Sequence, residues 1–195
     1  MKQGLVLILS VAALIFASCD TKVVDAEYPD QRVYLPAAAA TATENCIYTI
    51  SQAHINPGST PTEGSPYQFV INEEEGLFSI PLSVYRSGIT NDGKVDVTVW
   101  FDEDHLGQMY LDGYLSNDVE ILDISFRQCP EAVRIRSGES LASFTIDLDL
   151  YYLMDQARYG KKFAFAVAIE TADRQVNEDL DKVVILIDTQ LFENL

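Results

Sequence analysis

Trp100 is the only tryptophan in this 195-residue chain, and it stands in the alternating stretch Lys94 to Phe101. Val95, Val97, Val99 and Phe101 share one parity, while Asp96, Thr98 and Trp100 share the other. Period two over eight residues is the pattern of a half-buried strand, so the indole is predicted on the polar face. An indole exposed there can stack on the apolar C–H face of a sugar ring. Asp96 on the same face can add hydrogen bonds. Tyr110 and Tyr114 in the following segment, and Tyr151-Tyr152 further on, can extend the aromatic platform. The competing reading makes Trp100 structural, covered by the 102–119 excursion or by the amino-terminal tether, because large aromatics are usually well buried.

Other residues with chemical potential are sparser. Asp102-Glu103-Asp104, after a strand end, offers hard oxygen ligands of the kind Ca²⁺ takes, but the spacing of an EF-hand loop is missing. Loop carboxylates in so acidic a chain are ordinarily solvated, and Glu73-Glu74-Glu75 reads as a charged turn that discourages edge pairing. The two histidines, His54 and His105, lie near no cysteine and in no H-x-x-x-H spacing, which argues against zinc. Neither G-x-S-x-G nor H-E-x-x-H occurs, and no Cys/His dyad is close in sequence. Carboxylates are too numerous to single out a glycosidase couple, whose signature is a separation in space. The expectation is a protein without catalytic activity and without a cofactor.

The amino terminus carries chemistry of a different kind. Lys2 is followed by the apolar run Leu5–Phe16, then by small Ala17-Ser18 and a lone Cys19. A run of about a dozen residues at 1.5 Å each covers roughly 20 Å, short of the ~30 Å hydrocarbon core, so it reads as a signal peptide over residues 1–18. Phe16-Ala17-Ser18-Cys19 resembles a bacterial lipobox. The resemblance implies a Cys19 thiol alkylated with diacylglycerol, cleavage before it, and acylation of the new amino group. Several acyl chains anchor durably where one is marginal. An ordinary secretory peptide is the alternative. Residues 19–31 follow as lipidated Cys and polar tether.

Charge narrows the partners. The chain carries 13 Lys and Arg against 30 Asp and Glu, a net of -17. Loss of residues 1–18 removes Lys2 and no acid, leaving 12 against 30, or -18. Such a surface repels phosphate backbones and anionic lipid heads, and no Lys/Arg cluster suits nucleic acid. The expected partners are the membrane, through the lipid, together with a glycan or an outer-membrane lipoprotein or transporter. Outside the cytoplasm Cys46 and Cys129 can pair as a disulfide. They can equally be small buried hydrophobes, since spacing does not establish proximity.

These residues must be positioned by strands. Arg32–Leu35, Cys46–Ile50, Tyr67–Ile71, Leu77–Tyr85, Lys94–Phe101, Glu120–Arg127, Ala132–Ile135, Leu141–Leu148, Phe163–Ile169 and Val183–Asp188 all read as strands. Asn91-Asp92-Gly93 is turn chemistry and suggests that the fourth and fifth form a hairpin. Pro36 is expected to stop the first strand, with Ala37–Ala42 a loop or bulged continuation. His54–Pro66, rich in Pro and Gly, is a loop. Asp102 or Asp104 can cap a short helix through Met109, and Leu150–Arg158 allows one or two helical turns before Gly160. The 48% hydrophobic content supports one sizeable core. The prediction is an all-β fold over residues 32–192, an antiparallel immunoglobulin-like β-sandwich with Greek-key connections.

Arg32-Val-Tyr-Leu-Pro, Ile80-Pro-Leu-Ser-Val-Tyr-Arg-Ser-Gly, Val133-Arg-Ile-Arg-Ser-Gly-Glu and Val176-Asn through Val183-Val-Ile-Leu-Ile-Asp form a recognisable set. The chain resembles the β-sandwich domain of unknown function found in lipoproteins of Bacteroidetes glycan-utilisation loci, and more loosely the Calx-beta motif, over roughly residues 30–190. The resemblance implies an outer-membrane location, facing the cell surface or the periplasm, and a glycan-capture or accessory role. Such domains commonly precede another module, and the sequence ends at Leu195. The sandwich itself is therefore expected to bind glycan or, alternatively, to serve assembly by docking on a partner lipoprotein or transporter.

Overall fold

The structure, a computed structural model, describes residues 30–50 and 69–193. Cys19, the tether before residue 30, and His54 lie outside the described residues. The described residues form twelve strands: β1 Arg32–Tyr34, β2 Ile47–Ile50, β3 Val70–Asn72, β4 Leu77–Arg86, β5 Val95–Phe101, β6 Val119–Ile121, β7 Arg127–Gln128, β8 Ala132–Ile135, β9 Leu141–Asp149, β10 Lys162–Glu170, β11 Gln175–Val176 and β12 Lys182–Asp188. They form two six-stranded sheets. One runs β11-β1-β4-β9-β7, with β3 also on β4; the other runs β2-β12-β10-β5-β8, with β6 also on β10. This is an all-β sandwich.

The core follows from strand parity. Phe78, Ile80, Leu82 and Val84 of β4 and Phe144, Ile146 and Leu148 of β9 face inward from the first sheet. Val95, Val97 and Val99 of β5, Phe163, Phe165, Val167 and Ile169 of β10, and Val183, Ile185 and Ile187 of β12 meet them in one buried cluster.

Two expectations need correction. The sheets are mixed, not antiparallel throughout: β1 lies parallel to β11, β2 to β12, and β6 to β10. And β4 and β5 are not a hairpin, for they belong to opposite sheets. Gly93 does take the left-handed conformation that the turn chemistry requires (φ +74°), but the segment carries the chain from one sheet to the other. Only the β3–β4 and β5–β6 connections remain within a sheet.

Among the described residues three short α-helices accompany the strands: α1 Pro36–Ala40, α2 Glu103–Leu111 and α3 Leu150–Met154. Pro36 starts α1 instead of ending order there. At the first helical position its missing N–H would be unpaired anyway, and Ala37 and Ala38 are buried. The Asp102 side chain caps α2, accepting from His105 N at 2.9 Å. Along α2, Leu106 and Met109 point down onto the outer face of β10. Ala164 and Ala166 leave room for them there, and with Leu115, Val119 and Val184 they form a second apolar cluster. Among the described residues no helix is long and apolar enough to cross a membrane.

Candidate functional site

α2 covers only part of the outer face of the second sheet. The remainder, toward β8, is where Trp100 lies. Its backbone pairs with Ala168 of β10, which is wholly buried, and Thr98 pairs with Glu170 on one side and Ala132 on the other. The indole is half-buried, so it is neither the fully exposed platform nor the fully covered core residue that the sequence allowed.

Asp96, two steps along the same face and roughly 13 Å from Trp100 at ~3.3 Å per residue, is bound on both carboxylate oxygens. Arg134 Nε of β8, directly opposite, donates to Oδ1, and Lys94 Nζ lies 2.7 Å from Oδ2. The hydrogen bonds from Arg134 and Lys94 hold the Asp96 carboxyl down at about 2, so it stays ionised at any ordinary pH. The turn after β10 fixes the backbone at this point. Asp173 accepts from Asp96 N at 2.8 Å, and the Thr171 hydroxyl donates to Asp96 O at 2.6 Å.

Beyond Arg134 the face opens into a cleft of about 640 Å³ lined by Asn91, Arg134, Arg136, Glu139, Ser140 and Ser143. Its walls are two loops held by a buried side chain. Arg86 ends β4 on the inward parity and is wholly buried. Its Nε donates to Glu139 O at 2.8 Å, Nη1 to Gly93 O at 2.8 Å and Asp92 O at 3.2 Å, and Nη2 to Asn91 O and to Arg136 O at 3.2 Å. Five N–H groups meet five carbonyls, the full donor capacity of a guanidinium. An array of carbonyl dipoles stabilises that charge without a carboxylate, and the two loops supply it. Gly138 N adds a 2.7 Å bond to Asn91 O.

Other predicted site residues are placed elsewhere. Tyr110 is in α2, not in a loop, and faces inward with the second apolar cluster. Its hydroxyl donates to Val119 O at 2.6 Å, and burial pushes it above the ordinary tyrosine range. It is structural. Tyr114 is half exposed but follows the carboxyl end of α2, whereas Trp100 precedes the amino end. Nine helical residues at 1.5 Å put roughly 13 Å between those ends, so the two rings do not make one platform. The acidic trio serves the helix: Asp102 caps it and Glu103 pairs with Arg127. Among the described residues no three His, Cys, Asp or Glu side chains gather closely enough to hold a metal.

Cys46 and Cys129 are both free thiols. Cys46 precedes β2 at one edge of the second sheet, its Sγ 3.9 Å from Asp179 O. Cys129 follows β7 at an edge of the first. Burial raises both above the usual thiol range, so neither is poised as a nucleophile. The residue that sequence reasoning missed is Arg86. Its signal was present, since it continues the parity of Phe78, Ile80, Leu82 and Val84.

The strip therefore offers a partly buried indole, an ionised carboxylate beside a guanidinium fork, and a polar cleft. It can stack against a ring and pair with vicinal hydroxyls, which suit the planar Asp–Arg arrangement.

No family model and no curated protein sequence matches the chain. Solved structures do. A Bacteroides ovatus protein provisionally described as carbohydrate-binding superposes with a TM-score of 0.53 at 15% identity, over 80% of this chain and 36% of its own. A second Bacteroides ovatus protein, of unknown function, gives 0.51 at 13% identity, over 83% of this chain and 52% of its own. The chain thus spans about a third to a half of the length of these proteins. At such identities the likeness is one of fold, a β-sandwich shared with two Bacteroides ovatus proteins.

Proposed function

We propose that this chain is a non-catalytic glycan-capturing module, anchored at the outer membrane through lipid on Cys19 and presenting the Trp100–Asp96–Arg134 strip to polysaccharide. The observation that carries the reading is the partly buried Trp100 on an otherwise polar sheet face, which also carries, roughly 13 Å along β5, a fixed Asp–Arg pair that opens into the Arg86-built cleft. Indole stacking supplies the apolar contact, while Asp96 and the unengaged Nη groups of Arg134 supply directional bonds to hydroxyls. The provisional carbohydrate-binding description of one similar structure supports the same reading.

The test is calorimetric titration of residues 20–195 against a panel of neutral, amino and acidic oligosaccharides. Binding is expected to weaken at least about tenfold in Trp100→Ala, an indole contact of ~1.4 kcal/mol or more. Unchanged affinity in that variant removes the site. Silence across the panel removes the function and leaves the docking role.

A further inference from the structure

A second cleft lies on the other sheet, where β7 and β9 meet the β3–β4 turn. It has two adjoining compartments of about 400 and 220 Å³ that share Gln128 and Asp147. Tyr151, the second residue of α3, stands at its rim and is 64% exposed. Exposed tyrosines normally rotate freely, but this one is held. Its hydroxyl donates to Glu73 O at 2.8 Å, and its ring lies against the backbone of Gly76. A Cβ at Gly76 would fall 2.5 Å from Tyr151 Cε2, and the φ of +67° there already favours glycine. The glycine-ended turn Asn72–Gly76, closed by Asn72 Oδ1 accepting from Glu75 N at 3.2 Å, thus gives the ring its seat.

Below the ring, the 220 Å³ compartment presents Ser125, Gln128 and Asp147 around Leu77 and Phe126. Asp147 is oriented by the Ser79 hydroxyl, which donates at 2.5 Å. A carboxylate accepts about four hydrogen bonds, so most of its capacity remains. Among the described residues lining both compartments there is no Lys, Arg or His, while Asp147, Asp149 and Glu75 are present. An anionic ligand would meet uncompensated like charge there.

We infer that this cleft is a second saccharide site, built for a pyranose without an acidic substituent (neutral or amino-bearing), which stacks on Tyr151 and is read by Gln128 and Asp147. A pre-seated ring spares the ligand the entropy of ordering it. The site lies on the opposite sheet from Trp100 and does not depend on that surface.

The experiment uses residues 20–195, isotope-labelled, titrated with chitohexaose, mannohexaose, chitosan hexamer and hexagalacturonate. Amide shifts are followed in 73–77, 125–129 and 145–152. At least one of the first three is expected to shift those amides, and hexagalacturonate to leave them still. Tyr151→Ala is expected to weaken that binding at least tenfold and Gln128→Ala several-fold, while Trp100→Ala leaves it unchanged. Gly76→Ala displaces the ring from its seat and is expected to weaken binding with Tyr151 still present. Because Tyr151 is exposed, Tyr151→Ala is expected to keep the wild-type spectrum elsewhere, which separates lost binding from lost fold. Shifts confined to other regions, no response to any of the first three probes, unchanged affinity in Tyr151→Ala, or equal binding of hexagalacturonate would each overturn the proposal.

Discussion

Two arginines are buried in this sandwich, and they are stabilised in opposite ways. Arg86 has no carboxylate partner and needs none, because five backbone carbonyls from the 91–93 and 136–139 loops take all its donors. Arg127, on β7, has one carboxylate, the half-exposed Glu103 at the start of α2. Its guanidinium lies 4.5 Å from the Phe101 ring centroid and 5.7 Å from that of Phe165, while its Nε and Nη1 make no hydrogen bond among the described residues. The first charge organises backbone; the second fills a gap between rings and is tethered by one ion pair. A buried cation that orders loops is part of the fold, whereas one that packs on aromatic faces behaves partly as a large flat hydrophobe.

The contrast predicts unequal costs for the same substitution. Arg86→Met takes one donor from each of five carbonyls, reduces the link between the two loops to the Gly138 N–Asn91 O bond and removes the side chain that holds the walls of the 640 Å³ cleft. We expect a loss of about 3–5 kcal/mol, read as a lower urea midpoint or as failure to fold, because breaking a buried charged network costs on that order. Arg86→Lys replaces five donors by three and rescues only part. If Arg86→Met were as stable as wild type, the organising role would be lost. Glu103→Ala is a smaller change. It strips Arg127 of its only carboxylate, at an expected cost of about 1–2 kcal/mol after solvent screening at the exposed partner. The double variant Arg127→Met, Glu103→Gln should recover most of that loss, as apolar replacements of buried pairs often do. A double variant less stable than Glu103→Ala would show that the guanidinium is needed for more than packing.

The smallest effect belongs to the exposed pair. Asp96 titrates at about 2 in the folded protein against 3.8 for the free side chain. Its folded value is depressed, so its contribution is complete above the unfolded value and fades as pH falls from about 4 toward 2. Titration of the Asp96 carboxyl by NMR should show the low midpoint in wild type and a return toward the free value in Arg134→Ala. A normal midpoint in wild type would mean that the Asp96–Arg134 pair is not formed in solution.

What the sequence disclosed divides along the same line. Parity alone placed Phe78 to Val84, Val95 to Phe101, Phe144 to Leu148 and Phe163 to Ile169 on the core face, and the Asp102 cap was readable from residue type. These depend on neighbours within a few residues. The position of Tyr110 was also within reach, since Leu106, Met109 and Tyr110 have the i, i+3, i+4 spacing of one helix face. The sheet to which β5 belongs was not readable. Asn91-Asp92-Gly93 fits a hairpin locally, whereas in the structure it crosses between the sheets with its carbonyls gathered on Arg86. The three parallel pairings join distant segments and leave no local mark. Trp100 was placed on the right face, but how much of the ring α2 leaves open depends on packing that spacing does not encode.

Those parallel pairings bear on how the chain is made. Arg32 lies beside Gln175 and Ile47 beside Val184, so both strands lean on segments synthesised about 140 residues later. Contacts between such remote segments slow folding, because a long loop must close before they reward it. A chain that emerges amino end first therefore waits, its earliest strands unpaired on that side, until β11 and β12 arrive. Its folding is postponed until those segments have emerged, and the first strands must stay soluble in the meantime.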